Sequence, residues 1–462
     1  MNSRKIFGSI IFIFFCSVTF SLYGYNIDLP MFYKPPVCPQ LSPDKIGKTM
    51  GTFQARYKYA SASKGFDTRG DKCTLFDIYG PIDLLYLGRN LDNPGDRTRG
   101  YWGKIGELAP AGTGYLGGLD RSVAADNVGT KDGLVSCHGH MSTHEIDLLY
   151  TQQLFYGFFA QAYIPLKSVS LTKINFENLG KSVIGPAGHT VNIDNLISED
   201  LNTILEECGI EKYSASHKRS GVGDLVCSVG WAGAGQNQSE LVKNLSGFVS
   251  AGVIFPMAKK YNEKNIFDVP LGYITSIGFM ARAQGDMTIF TPWLGIGVYG
   301  GGTVFLSKDR YVPVKTDEKQ AGWFTLGRCY ASVDTGSLWD IGCYARLGYR
   351  NGGSLLVGYT YASQEHTSLT VRDNNFLETY VKTQKDLNKS VNINNLVNSD
   401  ERLRGWKAQM LHCALIYKGQ AGENSTVEPM VSIEYSYPIT GKYLFYAPML
   451  AGTLGFSVNL NF

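Results

Sequence analysis

Charge is scarce in this chain, and long apolar runs are scarcer. Only 18% of its 462 residues are charged, and the formal net charge is +3. Loss of Arg4 and Lys5 with the leader described below lowers that +3 to +1. A balance so near zero gives no electrostatic case for nucleic acid or for a strongly anionic partner. After residue 24 no apolar run approaches the roughly 20 residues that a membrane helix needs. Gly-x-Ser-x-Gly, His-Glu-x-x-His and Cys-x-x-Cys are all missing, so nothing points to a hydrolase elbow, a zinc hydrolase or a dithiol centre. GTGYLG at 112–117 has dinucleotide-fingerprint spacing but follows no strand pattern, and it is read as loop glycine. No cofactor and no catalysis are expected.

What is present points to export. MNSRKIFGSIIFIFFCSVTFSLYG, residues 1–24, places Arg4 and Lys5 before the apolar run Ile6 to Phe20, then small residues. That order predicts a secretory signal peptide, since the run is too short to span and no basic stop-transfer cluster follows. Residues 25–48, with Pro30, Pro35, Pro36, Pro39 and Pro43, predict an extended segment. From residue 49 onward glycine, tyrosine and phenylalanine are abundant, and strand-like alternation replaces any helical period.

The alternation is strict in several segments. In TVEPMVSIEYSYPI, Val427, Val431, Ile433, Tyr435, Tyr437 and Ile439 share one face, and Glu428, Ser432, Glu434 and Ser436 the other. In SLWDIGCYARLGYR, Trp339, Ile341, Cys343, Ala345, Leu347 and Tyr349 oppose Asp340, Gly342, Tyr344, Arg346, Gly348 and Arg350. GYITSIGFMARAQ sets Tyr273, Ile277, Phe279 and Ala281 against Ser276, Gly278, Arg282 and Gln284. Polar faces made of Gly, Ser and Tyr with few charges suit a lumen better than bulk water, and aromatics near strand ends suit interfacial girdles. The expected fold is all-β: a closed antiparallel transmembrane barrel spanning 49–462.

Fourteen strands are predicted, near 49–60, 73–87, 139–152, 155–167, 221–232, 245–258, 271–285, 288–300, 321–333, 338–350, 353–367, 404–418, 426–440 and 447–462, within a range of twelve to sixteen. Long connections fall near 88–138, 168–220 and 368–403. In the second, Ser198 is placed to cap a helical turn lined by Leu201, Ile204, Leu205 and Cys208. VNIDNLISED at 191–200 is repeated as VNINNLVNSD at 391–400. Copies on one side of a membrane require an even number of strands between them, yet the list puts seven there. Splitting 288–314 at Gly300-Gly301-Gly302 is one remedy.

The polar strand faces supply candidate pore-lining residues: Arg56, Lys58, Asp77, Asp83, Arg282, Asp340, Arg346, Glu428 and Glu434. Charges of both signs in a lumen would set up a transverse field that sorts solutes by size and charge, although the same charges could seal a solid barrel. Cys329 and Cys343 lie equidistant from Gly336, as if opposite each other on adjacent strands, and are a candidate disulfide; two small apolar side chains in lipid is the alternative. Cys137, His138, His140 and His144 cluster in CHGHMSTH, with the histidines on one strand face, a weak candidate metal site.

The final stretch, GTLGFSVNLNF, alternates Leu454, Phe456, Val458, Leu460 and Phe462 with small or polar residues. It resembles the C-terminal assembly signal of Gram-negative outer-membrane β-barrel proteins. That resemblance implies a bacterial outer-membrane location and recognition by the barrel assembly machinery. GVGDLVCSVGW followed by SAGVIFPMAKK is similar to paired strands of barrel transporters for aromatic or fatty compounds. Three functions remain: a porin-like channel for passive passage of small solutes, a transporter of hydrophobic or aromatic compounds, and a surface structural or adhesive barrel.

Overall fold

Alternating segments become strands because each face then meets one environment, and closing the sheet removes its edges. The structure, a computed structural model, describes residues 50–83, 134–180 and, with short interruptions inside connections, 183–373 and 392–459. The leader, the proline-rich segment, GTGYLG, Leu460 and Phe462 lie outside the described residues. Twelve strands form the ring: β1 (Met50–Ala62), β2 (Leu134–Gln153), β3 (Phe158–Asn178), β4 (Leu225–Gln236), β5 (Val242–Phe255), β6 (Gly278–Ile289), β7 (Leu294–Phe305), β8 (Leu338–Gly348), β9 (Gly353–Gln364), β10 (Lys407–Lys418), β11 (Val427–Lys442) and β12 (Met449–Asn459). Each pairs antiparallel with its sequence neighbours, and β1 closes on β12 from Met50↔Asn459 to Ala60↔Met449.

Twelve is the lower end of the expected range, and two expected strands account for the difference. Of the expected strand 73–87, residues 73–83 form no barrel strand, and 84–87 lie outside the described residues. The described part forms the short strand Lys72–Thr74, a buried turn through Leu75, Phe76 and Ile78, and the two-residue strand Ile82–Asp83 against β2. The segment 321–333 contributes Gly327–Asp334 to a separate three-stranded sheet with Lys308–Val314 and Ser368–Val371. Gly300, Gly301 and Gly302 lie inside β7 and make no turn. Six barrel strands therefore separate the two repeat copies, and both copies occupy connections at the same rim.

The rims differ. Met50, Asn459 and the turns after β2, β4, β6, β8 and β10 share one end, here the terminal rim. The connections after β1, β3, β5, β7, β9 and β11 emerge at the other. Five of these six supply one apolar core: Leu75, Phe76 and Ile82; Leu201, Leu205 and Ile210; Phe267, Val269 and Leu271; Trp323; and Tyr443 and Phe445. Leu201 and Leu205 come from the helix α1 (Leu201–Glu207), at the predicted site. Trp323 follows β7, on the side of the ring opposite β1, yet its ring lies 4.6 Å from that of Phe76 in the β1–β2 connection. The contact crosses the mouth, so these connections form a dome over it.

The separate sheet packs Val312, Val314, Cys329, Ala331 and Val333 against helix α2 (Ile393–Asn398). Here the repeat has a structural task. Asn394 and Asn398 side chains accept the Val371 and Leu369 amides at 3.1 and 2.9 Å, covering a sheet edge, while Asn392 caps α2.

Candidate functional site

Alternation directs one set of side chains outward. Phe53, Ile146, Leu166, Val229, Leu245, Phe279, Val298, Ile341, Val357, Leu415, Ile433 and Leu454, one from each strand, are all exposed. So continuous an apolar surface is stable against lipid acyl chains and unstable in water. The chain is therefore built as an outer-membrane-type barrel, and the opposite faces define its lumen.

On one wall, Arg56 of β1 stands opposite Asp147 of β2, Lys58 opposite Glu145, and Glu145 opposite Lys167 of β3. Lys58 Nζ lies 3.1 Å from Glu145 Oε1 and also pairs with Asp147, which accepts the Tyr163 hydroxyl at 2.8 Å. Arg56 Nη2 pairs with Glu434 of β11, whose Oε1 accepts Ser432 and Thr453 hydroxyls at 3.0 and 3.3 Å. On the facing wall, Arg282 of β6 pairs with Asp340 of β8 at 3.2 Å, and Arg346 of β8 with Asp286 of β6 at 3.0 Å. The Tyr344 hydroxyl donates to Asp286 and accepts from Gln284 Nε2, both at 2.8 Å.

The strand between these pairs is glycine-rich for a steric reason. The Tyr344 ring lies over Gly297, and the Tyr299 ring over Gly342; a Cβ at either glycine would overlap the ring. Tyr299 then continues a hydrogen-bonded file through Thr360 to His412 Nε2 (2.6 Å) and on to Ser436 (2.9 Å), joining the two walls along one side. Arg56, Lys58, Glu145, Asp147, Asp340 and Thr360 are no more than 6% exposed. A broad water-filled pore would leave such groups wet; here they are packed among their neighbours.

Of the expected pore-lining residues, Arg56, Lys58, Arg282, Asp340, Arg346 and Glu434 meet in these networks, and Glu428 lies inward on β11. Asp77 and Asp83 do not line the barrel, because their segment belongs to the β1–β2 connection. Asp77 instead accepts the Cys137 amide at 3.0 Å and the Ser136 hydroxyl. Glu145, Asp147, Lys167 and Asp286 were missed. Glu145 and Asp147 alternate with Ile146 and Leu148 in HEIDLL, a signal of the same kind as those used elsewhere.

The proposed cysteine pair is corrected. Cys329 is buried in the separate sheet opposite Val312, whereas Cys343 faces outward on β8 between Val298 and Tyr359; both thiols are free. The histidines take separate partners: His138 with Glu177 at 2.7 Å, His140 with Ser61 at 3.2 Å, and His144 with the Tyr57 hydroxyl at 2.7 Å. Among the described residues no group of three or more His, Cys, Asp or Glu is placed to hold a metal.

Polar clasps fix the dome. Asp268, in the β5–β6 connection, meets His217 at 3.0 Å, the Arg219 guanidinium and the Asn262 amide. Burial opposes its charge, but these hydrogen bonds and the Arg219 charge together hold its carboxyl below the ordinary value of 3.8. Tyr443 stacks on Tyr79 at 5.5 Å and donates to Glu401; burial, with that hydrogen bond, pushes its phenol up to about 12.

No family model and no curated protein matches the chain. Among solved structures it is similar to an outer membrane channel from Pseudomonas putida F1, at 9% identity over 91% of this chain and 99% of that one, with a TM-score of 0.44. It is also similar to the translocator domain of the autotransporter NalP from Neisseria meningitidis, at 9% identity over 90% and 91%, with a TM-score of 0.31. A Pseudomonas aeruginosa FadL homologue gives 9% identity over 90% and 91%, with a TM-score of 0.27.

Proposed function

We propose that this barrel is an outer-membrane channel that passes small polar solutes through a narrow, charge-lined lumen, with access at one mouth restricted by the dome. The observation that carries this reading is the pair of ionic networks on facing inner walls, Lys58 with Glu145 and Asp147 against Arg282 with Asp340 and Arg346 with Asp286. Short turns, with Met50 and Asn459, at one rim and long connections at the other support a periplasmic terminal rim and an external dome. Membrane lipid covers the outward faces. The outward row Leu454, Phe456 and Val458, continued in sequence by Leu460 and Phe462, is assigned to recognition by the assembly machinery. The reading includes no catalysis.

A second reading, a transporter of aromatic compounds, draws on Phe159, Ala232 and Phe248, an inward apolar cluster on β3, β4 and β5. Single-channel recording of the refolded protein in a planar bilayer tests both. Small, ohmic, ion-selective steps are expected. A folded, heat-modifiable barrel that stays silent but retains an apolar compound would replace the first reading with the second. A silent barrel that retains nothing would favour the surface role.

A further inference from the structure

The turn from β2 to β3 contradicts the usual polarity of a short rim turn. It reads Leu154-Phe155-Tyr156-Gly157-Phe158, and its four large side chains are 37%, 68%, 85% and 50% exposed in order. Turns that face water use Gly, Asn, Asp and Ser, because each exposed ring orders water without gain. This turn is also held rigidly. The Leu154 amide donates to Phe158 O at 2.7 Å, and Trp231 Nε1 donates to Tyr156 O at 3.0 Å. Tyr156 keeps a left-handed φ of 55°, a conformation that favours glycine over a side-chain-bearing residue. Gly157 follows at φ 84°, backed so closely by Ala232 O that a Cβ would not fit.

The direction of the turn identifies what it meets. Trp231 is on the outward face of β4, in step with exposed Val229, so its indole grips the turn from the lipid side of the wall. Outward Phe53, Tyr150 and Phe456 continue the aromatic surface along this rim, and exposed Trp293 marks the β6–β7 turn there. Charge is absent as well: no Asp, Glu, Lys or Arg occurs between Asp147 and Lys167. A protein-docking patch carries a polar, partly charged rim, whereas neutral Tyr, Trp and Phe fit the boundary between headgroups and acyl chains.

We infer that the β2–β3 turn is a preformed membrane anchor, inserted into the phospholipid leaflet at the terminal rim. The inference rests on the outer-membrane reading. The experiment replaces Tyr156 with photoreactive p-benzoylphenylalanine, and Phe155 in a second variant in case the first does not fold. Both are irradiated in cells and in vesicles of phosphatidylethanolamine and phosphatidylglycerol, after heat-modifiability has confirmed folding. A mass increase equal to one phospholipid, in both settings, is expected. A discrete protein adduct in cells would overturn the inference and give the turn a periplasmic partner. Inserted barrel without any adduct would overturn it in favour of a turn standing in water. Recovery of the folded chain outside the membrane would instead defeat the outer-membrane reading.

Discussion

Lys58 stabilises two carboxylates that are almost wholly buried. Replacing it with methionine keeps the volume but removes the Lys58 ammonium from the buried Glu145 and Asp147, and breaking a buried pair in this way costs about 3–5 kcal/mol. Urea unfolding of the inserted protein should show that loss, with Lys58→Arg recovering part of it. Glu434→Gln acts on selectivity instead, because it removes the carboxylate paired with Arg56 and shifts the local charge of the lumen by one unit toward positive. In a salt gradient the reversal potential should move toward anion preference; an unchanged potential would place Arg56 away from the conducting path. Asp268 predicts a pH response. Its folded-state carboxyl is depressed, so its contribution is complete above 3.8 and is lost as pH falls through the lower folded value. Protease sensitivity of the β5–β6 connection should therefore stay flat in mild acid and rise only below 3.8.

Strands that face lipid on one side and a polar lumen on the other were legible. In β8 and β11 every exposed apolar residue from Trp339 to Ile439 fell on the face its alternation assigned. Gly327–Asp334 misled for a physical reason. Cys329, Ala331 and Val333 alternate with Arg328, Tyr330 and Ser332, and a sheet with one face on a small core and the other toward water produces the same period as a barrel wall. The segment 73–87 misled differently, since Leu75, Phe76 and Ile78 are buried by contacts from distant connections that no local pattern encodes. The lumen was half legible: single charges could be assigned to a face, but their pairing depends on register between strands. At this scale Gly297→Val should displace the Tyr344 ring and break its bonds to Gln284 and Asp286. Overpacking of this kind costs about 1–3 kcal/mol, read as an earlier heat-modification transition, whereas Gly285→Ala, with open space around its Cβ, should be neutral.

The molecule as a whole joins a wall of regular strands to a dome held by aromatic contacts. Trp323→Ala removes the ring that meets Phe76 and, at 6.1 Å, Phe445, and truncating a buried tryptophan costs about 3–5 kcal/mol. Because those contacts span the mouth, the variant should keep its barrel yet conduct more, which bilayer recording would show as larger steps. The same contact imposes an order in time. Phe76 and Trp323 belong to opposite sides of the ring and are far apart along the chain, so closing the loop between them is entropically unfavourable until the intervening strands have paired. The dome is therefore expected to form last, and a chain arrested just before that step would be a closed ring of strands with its domed mouth still uncovered.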